Sequence, residues 1–338
     1  MPTYQAFQVT GTRQFELVER ALVEPLPGQV RIRVEACGIC HSDVAAVEGM
    51  REDPSTPIVP GHEVVGVIDA VGAGVHAWHV GDRVGVGFLG GHCGECERCR
   101  RGDFINCTDQ PYTGTTVDGG YSEYAYVRAS GLVRVPEGMD AITAAPLLCA
   151  GLTTLTALRL AGGRPGALVA VQGIGGLGHL AVQQAKHLGF RVAAIARGTD
   201  KAELAAELGA DVYLDSTAED PGTALQKLGG AETIVATAVS GASMSPLVTG
   251  LAPQGRLMVV GAAPDPMSVQ TMDLIFGTRT IAGSLTGSAI DNEDNLAFSL
   301  AQGIRPYTEV RPWADAPKAY DHMMTGHARF RVVLDHAA

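Results

Sequence analysis

The densest chemistry in this 338-residue chain lies in its seven cysteines and their spacing. Cys93-x-x-Cys96-x-x-Cys99 followed by Cys107 puts four thiols into one short segment. Four thiolates so placed suit a closed tetrahedral zinc site, whose metal adds folding energy and leaves no position open for a substrate. An iron-sulfur cluster is the rival occupant, since similar spacings serve it. Arg98, Arg100 and Arg101 flank the segment and would offset the charge of its thiolates. A second set is dispersed: Cys40-His41-Ser42-Asp43, then Gly61-His62-Glu63, then Cys149. Cys40, His62 and Cys149 would supply two thiolates and one imidazole and leave a fourth position free, the pattern of a catalytic zinc. Cys37 is left with the role of a small buried residue.

A third motif is Gly173-Ile174-Gly175-Gly176-Leu177-Gly178. Between a strand and a helix, G-x-G-x-x-G lets the backbone approach a pyrophosphate at the helix N-terminus, where free N–H groups and the helix dipole favour an anion. An NAD site then needs an acidic residue about 20 positions on, at the end of the next strand, to hold the ribose hydroxyl. Here that strand ends in Ala196-Arg197-Gly198, and no carboxylate follows until Asp200. Arg197, with Lys201 as a second cation, would pair with a 2'-phosphate, which predicts NADP, with NAD as the alternative.

The elements that must position these residues fall into two textures. Val30, Ile32, Val34 and Ala36 alternate with Arg31, Arg33 and Glu35 in the period of a half-buried strand, and further strands are expected over 64–71 and 121–127. Frequent glycine and proline between them fit an irregular β domain. Near residue 150 apolar strands begin to alternate with amphipathic helices, with strands expected at 168–172, 191–196, 212–214, 233–238, 256–260 and 280–282. That order predicts a doubly wound parallel sheet. Leu177, Leu180, Ala181, Gln184 and Leu188 share one helical face up to Gly189, and Asp200 with Glu203 resembles a capping box. Helices near 294–302 and 316–324 and a strand at 330–334 complete a tail expected to fold back on the first domain.

The totals narrow the class. The formal charge of -11, with no block of Lys and Arg, argues against nucleic acid or an anionic membrane as partner. No uninterrupted apolar run approaches the roughly 20 residues that cross a bilayer, and Arg13, Glu16 and Glu19 stand where a signal peptide needs an apolar core. A cytoplasmic protein is expected, in which cysteines serve as ligands or reactive thiols rather than disulfides.

Taken together these motifs resemble the zinc-dependent alcohol dehydrogenases of the medium-chain dehydrogenase/reductase family, in particular its microbial tetrameric branch. The resemblance runs over the whole chain. It implies an α/β architecture with a GroES-like β-rich catalytic domain over 1–150 and 287–338 and a Rossmann NAD(P)-binding domain over 151–286. It implies a catalytic zinc on Cys40, His62 and Cys149 with Glu63 as an exchange ligand, Asp43 orienting His62, and Ser42 accepting the proton of the alcohol. His41 and Arg331 would contact the cofactor pyrophosphate and Thr153 the nicotinamide. The backbone at Val260-Gly261-Ala262 and Ser284-Leu285-Thr286 would hold the carboxamide, and Phe88 would line the substrate pocket beside Ser42. Two zinc ions per chain, a small alcohol, aldehyde or ketone as substrate, and a homotetramer or homodimer are implied as well. Ala45 departs from the family, which often has a histidine there to end the proton relay; Glu48 is a candidate substitute. The alternatives are a reductase of imines or activated double bonds on the same fold and, from another class, a non-catalytic nucleotide- or zinc-binding protein.

Overall fold

Side-chain alternation along short strands shapes the second half of the chain. In the computed structural model, which describes residues 1–51 and 53–337, the strands Leu168–Gln172, Arg191–Ala196, Val212–Asp215, Ala231–Ala236, Leu251–Val259 and Thr280–Gly283 form one parallel sheet. Numbered from the first of these, their spatial order is 3-2-1-4-5-6, the doubly wound arrangement of a Rossmann fold. Val169, Val171, Val192 and Ala194 enter the core on one face, and Leu168, Ala170, Ala193 and Ile195 enter the core on the other. A strand buried on both faces reads as an unbroken apolar run, which is how these strands appear in the sequence.

The chain divides into two compact units. One comprises Met1–Cys149, Gly287–Leu300 and Arg305–Ala338; the other comprises Ala150–Thr286 and Ala301–Ile304. The first unit is built on a seven-stranded sheet in which Gln29–Ile39 is central. It pairs antiparallel with Glu63–Val71 on one side and with Arg331–Asp335 on the other, and Tyr124–Arg128 pairs with its first half. The tail thus returns to the N-terminal portion through Val333 opposite Gly38. A further strand, Thr308–Pro312, joins the edge in parallel with Arg331–Asp335. A hairpin of Thr3–Val9 and Phe15–Ala21 lies outside this sheet.

Several expectations need correction. Residues 141–161 are one helical segment, long and apolar enough to cross a membrane by length and composition alone, but it is mostly buried, as a core helix is, and Thr143, Thr153, Thr154, Thr156 and Arg159 interrupt its apolar run. Pro146 and Gly151 disguise it in sequence as breakers, whereas the chain passes Pro146 inside the helix and widens into a π-helical turn at Leu147–Gly151. The Asp200/Glu203 capping box does not form. The helix is Ala202–Glu207, its N-cap is Lys201, and no side chain caps it. The strand expected from Tyr121 begins at Tyr124; the Tyr121 backbone bonds instead to the Pro60 carbonyl and the Phe7 N–H. The helix expected from Asp294 begins at Ala289. Its start signal is Ser288, whose hydroxyl and N–H donate to Asp291 at 2.6 and 2.9 Å.

Candidate active site and metal centres

Cys40 follows the central strand Gln29–Ile39, and one short helical turn, His41–Asp43, comes next. On the adjacent strand Glu63 lies opposite Gly38, so the antiparallel register alone brings His62 and Glu63 beside Cys40. Cys149 reaches the same place from the π-helical turn. The ligand atoms of Cys40, His62, Glu63 and Cys149 all lie within 4.8 Å of one another. The sulfurs of Cys40 and Cys149 are 3.9 Å apart. Two thiolates on one tetrahedral zinc at about 2.3 Å would sit about 3.8 Å apart.

The hydrogen bonds fix which atoms face that point. His62 Nδ1 is 2.8 Å from Asp43 Oδ1, while the buried Nε2 has no partner. A buried polar atom without a partner demands a reason, and an imidazole that donates from Nδ1 to a carboxylate presents its Nε2 lone pair as a metal ligand. Asp43 Oδ2 accepts from the Cys40 N–H and from the Tyr121 hydroxyl, both at 3.0 Å. Arg331, on the returning strand, donates to Glu63 Oε1 and to the Ile39 carbonyl, leaving Glu63 Oε2 unpaired. Arg331 is thus turned into the unit, only 5% exposed, and bonded to Glu63 and a backbone carbonyl.

Charge in this pocket follows from those contacts. The Cys149 thiol holds the Cys40 thiol well below its ordinary range; burial opposes this, and His62 and Arg331 assist it. The same contact, with burial, pushes Cys149 well up. Burial works against a charged His62, but Asp43 and Cys40 outweigh it and raise the imidazole well above its usual value. Burial pushes Glu63 up to about 7 against the pull of Arg331. Anionic groups that attract a proton to this pocket equally favour a divalent cation.

The four cysteines of the loop form the second centre. Sulfur separations are 3.6 Å for Cys93 and Cys107, 3.9 Å for Cys93 and Cys99, and 4.0 Å for Cys96 and Cys107. That spacing encloses one tetrahedral ion and has no room for inorganic sulfides between the thiolates, so the donor set fits zinc rather than a cluster. Backbone N–H groups of Glu95, Cys96, Cys99 and Asp109 donate to these sulfurs at 3.3 to 3.4 Å. Of the arginines beside the loop, Arg98 lies near Asp103 and Arg101 pairs with Glu97 at the surface.

In the Rossmann unit, Gly173–Leu177 forms the turn between Leu168–Gln172 and the helix Gly178–His187. A Cβ on Gly178 would lie 1.6 Å from the Gly173 carbonyl oxygen, whereas a Cβ on Gly175 would meet nothing within 4 Å. One glycine is therefore needed for the fold, and the other borders open space where a phosphate would rest against the turn. Gly176 and Leu177 complete the turn. Beyond Ala196, Arg197 is exposed with no side-chain partner among the described residues. The loop that carries it is anchored by Asp215, which accepts from the Gly198 N–H at 2.8 Å, and by Tyr213, which donates to the Gly198 carbonyl at 2.7 Å. Lys201 donates to the Ile174 carbonyl of the glycine turn at 2.7 Å. Thr153 is buried beside the Leu285 carbonyl, and Ser284 keeps a buried hydroxyl without a partner. Val260, Gly261 and Ala262 follow the fifth strand of the sheet, and the Ser284 N–H donates to the Val259 carbonyl at 3.1 Å.

The alcohol dehydrogenase GroES-like domain family matches residues 26–137, and the zinc-binding dehydrogenase family matches residues 176–302. Alcohol dehydrogenase notN of Aspergillus sp. (strain MF297-2) is 42% identical over 311 residues, 92% of this chain and 91% of that protein. The chain belongs to the zinc-type alcohol dehydrogenase family of oxidoreductases. Among solved dehydrogenases, the cinnamyl alcohol dehydrogenase of Sorghum bicolor superimposes with a TM-score of 0.89 at 33% identity, covering 100% of this chain and 98% of that one. CAD from Helicobacter pylori, solved with NADP(H), gives 0.87 at 28% identity over 99% of this chain and 98% of that one. The GroES-like match falls within the first of the two units described above, and most of the zinc-binding dehydrogenase match falls within the second.

Other residues in and around the sites stand as follows. His41 and Ser42 are exposed. Phe88 packs edge-on against His62 with ring centroids 5.3 Å apart. Glu48 is committed elsewhere, bonded to Arg13 at 2.8 Å and to the Tyr320 hydroxyl at 3.1 Å, which removes it as a free substitute for a histidine at position 45. Tyr121 is a site residue that the sequence does not disclose, since no spacing rule links it to Asp43.

Proposed function

We propose that this dehydrogenase interconverts small alcohols and their aldehydes or ketones using NADP, with one catalytic and one structural zinc per chain. The observation that carries the catalytic assignment is the unpartnered His62 Nε2 facing the sulfurs of Cys40 and Cys149. Cys40, His62 and Cys149 hold the catalytic zinc, Glu63 stands by as an exchange ligand, and Cys93, Cys96, Cys99 and Cys107 hold the structural one. When bound, the catalytic zinc supplies Lewis acidity at the substrate oxygen and the nicotinamide exchanges the hydride.

The chain's own groups do the rest. Asp43 fixes the tautomer and orientation of His62. Arg331 compensates the Glu63 charge in a site closed to water. Ser42 accepts the hydroxyl proton and, with alanine at position 45 and Glu48 engaged, passes it to solvent. The glycine turn and the N-terminus of the ten-residue helix Gly178–His187 receive the pyrophosphate. Exposed Arg197 on its anchored loop receives the 2'-phosphate.

Metal analysis and cofactor kinetics test this reading together. Two zinc ions per chain are expected, falling to one in Cys149→Ser, which should lose alcohol oxidation. Arg197→Ala should lower kcat/KM for NADPH roughly tenfold or more, as befits a charged hydrogen bond, and leave NADH nearly unchanged. A preference for NADH that survives this substitution would remove the 2'-phosphate assignment, and full activity in Cys149→Ser would remove the zinc assignment.

A further inference from the structure

Cys149 sits on a π-helical turn, Leu147–Gly151, within an otherwise α-helical segment. Such turns are rare, distort the regular hydrogen-bond ladder and recur at functional sites. Something must hold this one open, because a relaxed α-helix would rotate Cys149 away from Cys40. Two buried amides bind the turn from the helix Ala289–Gln302. Asn292 Nδ2 donates to the Leu148 carbonyl and Asn295 Nδ2 to the Leu147 carbonyl, each at 2.9 Å. Asn295 also donates to Asn292 Oδ1 at 3.2 Å, so the two amides are locked to each other. They are 2% and 0% exposed.

Their placement is costly unless it has a purpose. Burying two amides on one helix face requires that each find partners, and leucines would cover the same surface at no such cost. Instead both amides address the two carbonyls just before Cys149. Adding a side chain at Gly87 would bring its Cβ 2.8 Å from the Leu148 carbonyl and 3.5 Å from Asn292 Nδ2, so a third strand of chain closes tightly over the same contact. We propose that Asn292 and Asn295 are positioning residues: by clamping the Leu147 and Leu148 carbonyls, they hold the π-turn in the shape that aims the Cys149 thiolate at the catalytic metal. The proposal rests on the reading of Cys40, His62 and Cys149 as zinc ligands. It extends the outer shell of that site from Asp43, on the histidine, to an equivalent support for a cysteine whose own sulfur has no such carboxylate.

The test is the rate at which each zinc leaves the purified full-length enzyme to a colorimetric chelator, with the cysteine-loop zinc as internal reference. Cys149→Ser identifies which release belongs to the catalytic site. Asn292→Leu and Asn295→Leu keep the bulk and remove the donors. They should speed release of the catalytic zinc roughly tenfold, in line with outer-shell substitutions at metal sites, and leave the cysteine-loop zinc unchanged. Leu296→Ala, at a fully buried apolar position on the same helix, removes packing without removing an amide and serves as the control for general loosening. Cobalt substitution adds a spectroscopic readout, since a displaced thiolate weakens the sulfur-to-metal charge-transfer band. Should a leucine variant fail to fold, Asn292→Ser, short but hydrogen-bonding, is measured in the same way and should give an intermediate rate. If the variants release catalytic zinc no faster than wild type, or no faster than Leu296→Ala, the clamp has no positioning role. If wild type itself holds a single zinc and Cys149→Ser loses none, the zinc reading fails first and independently.

Discussion

Three donors converge on the Asp43 carboxylate: the His62 ring N–H, the Cys40 backbone N–H and the Tyr121 hydroxyl. Only a group that accepts everywhere and donates nowhere satisfies all three, which is the chemistry of an ionised carboxylate and not of an amide. Burial followed by the Asp43 charge pushes the Tyr121 hydroxyl well above its ordinary pKa, so it stays a donor throughout the range in which the protein would be studied. Tyr121→Phe should therefore destabilise the fold by about 1.5 to 3 kcal/mol, the value of one hydrogen bond to a charged group. Asp43→Asn should cost more, because its NH2 must face at least one donor and His62 loses its fixed tautomer. Urea unfolding of both variants checks the ranking; equal costs would show that the hydroxyl, not the carboxylate, organises the cluster.

At the scale of elements, what was legible in sequence is what local rules determine. The inner strands Leu168–Gln172, Arg191–Ala196 and Ala231–Ala236 are visible because a strand buried on both faces must be apolar throughout, and the glycine turn is visible because its glycines answer to sterics at the turn itself. Gly178 shows the strength of that constraint. A Cβ there would penetrate the Gly173 carbonyl, a backbone atom that cannot swing aside, so Gly178→Ala should cost at least the roughly 3 kcal/mol upper end of ordinary overpacking and weaken nucleotide binding with it. Thermal unfolding with and without cofactor checks both; an alanine variant of wild-type stability would mean the turn is softer than its geometry implies. The elements that escaped were those fixed by distant partners. Pro146 and Gly151 look like helix breakers, yet the segment stays helical because its apolar surface is buried and because the turn at Leu147–Gly151 is held from 144 and 148 residues away by Asn292 and Asn295. Asp200 and Glu203 have the spacing of a capping box, but the chain enters that helix one residue later, at Lys201. For the site the division is the same: the residues that cluster, Cys40, His62, Cys149 and the cysteine loop, could be singled out by type and spacing, whereas Tyr121, the inward turn of Arg331 and the engagement of Glu48 depend on which strands pair.

For the molecule as a whole, two units with separate cores mean that a single midpoint of unfolding need not describe both. The sequence offers a way to follow one of them alone. The chain has two tryptophans, Trp78 and Trp313, and both lie in the GroES-like unit. Trp313 stacks on His336 with ring centroids 5.1 Å apart and planes 29° apart, and the His336 Nε2 is buried without a partner. Burial lowers the imidazole to about 4, although Asp335 and a backbone contact at Gly120 pull it up. An unfolded histidine titrates near 6.5, so between those two values the unfolded chain binds a proton that the folded chain refuses. The contribution of His336 to stability is accordingly complete above about pH 6.5 and is lost as the pH falls towards 4, amounting to about 3 kcal/mol across the window. His336→Gln cannot titrate. Its stability relative to wild type, from urea midpoints followed by tryptophan fluorescence at pH 7.5, 6 and 5, should improve steadily on acidification, and all other titrating groups cancel in that difference. Wild-type and variant curves that run parallel over this range would show that the proton taken up on acid unfolding binds elsewhere.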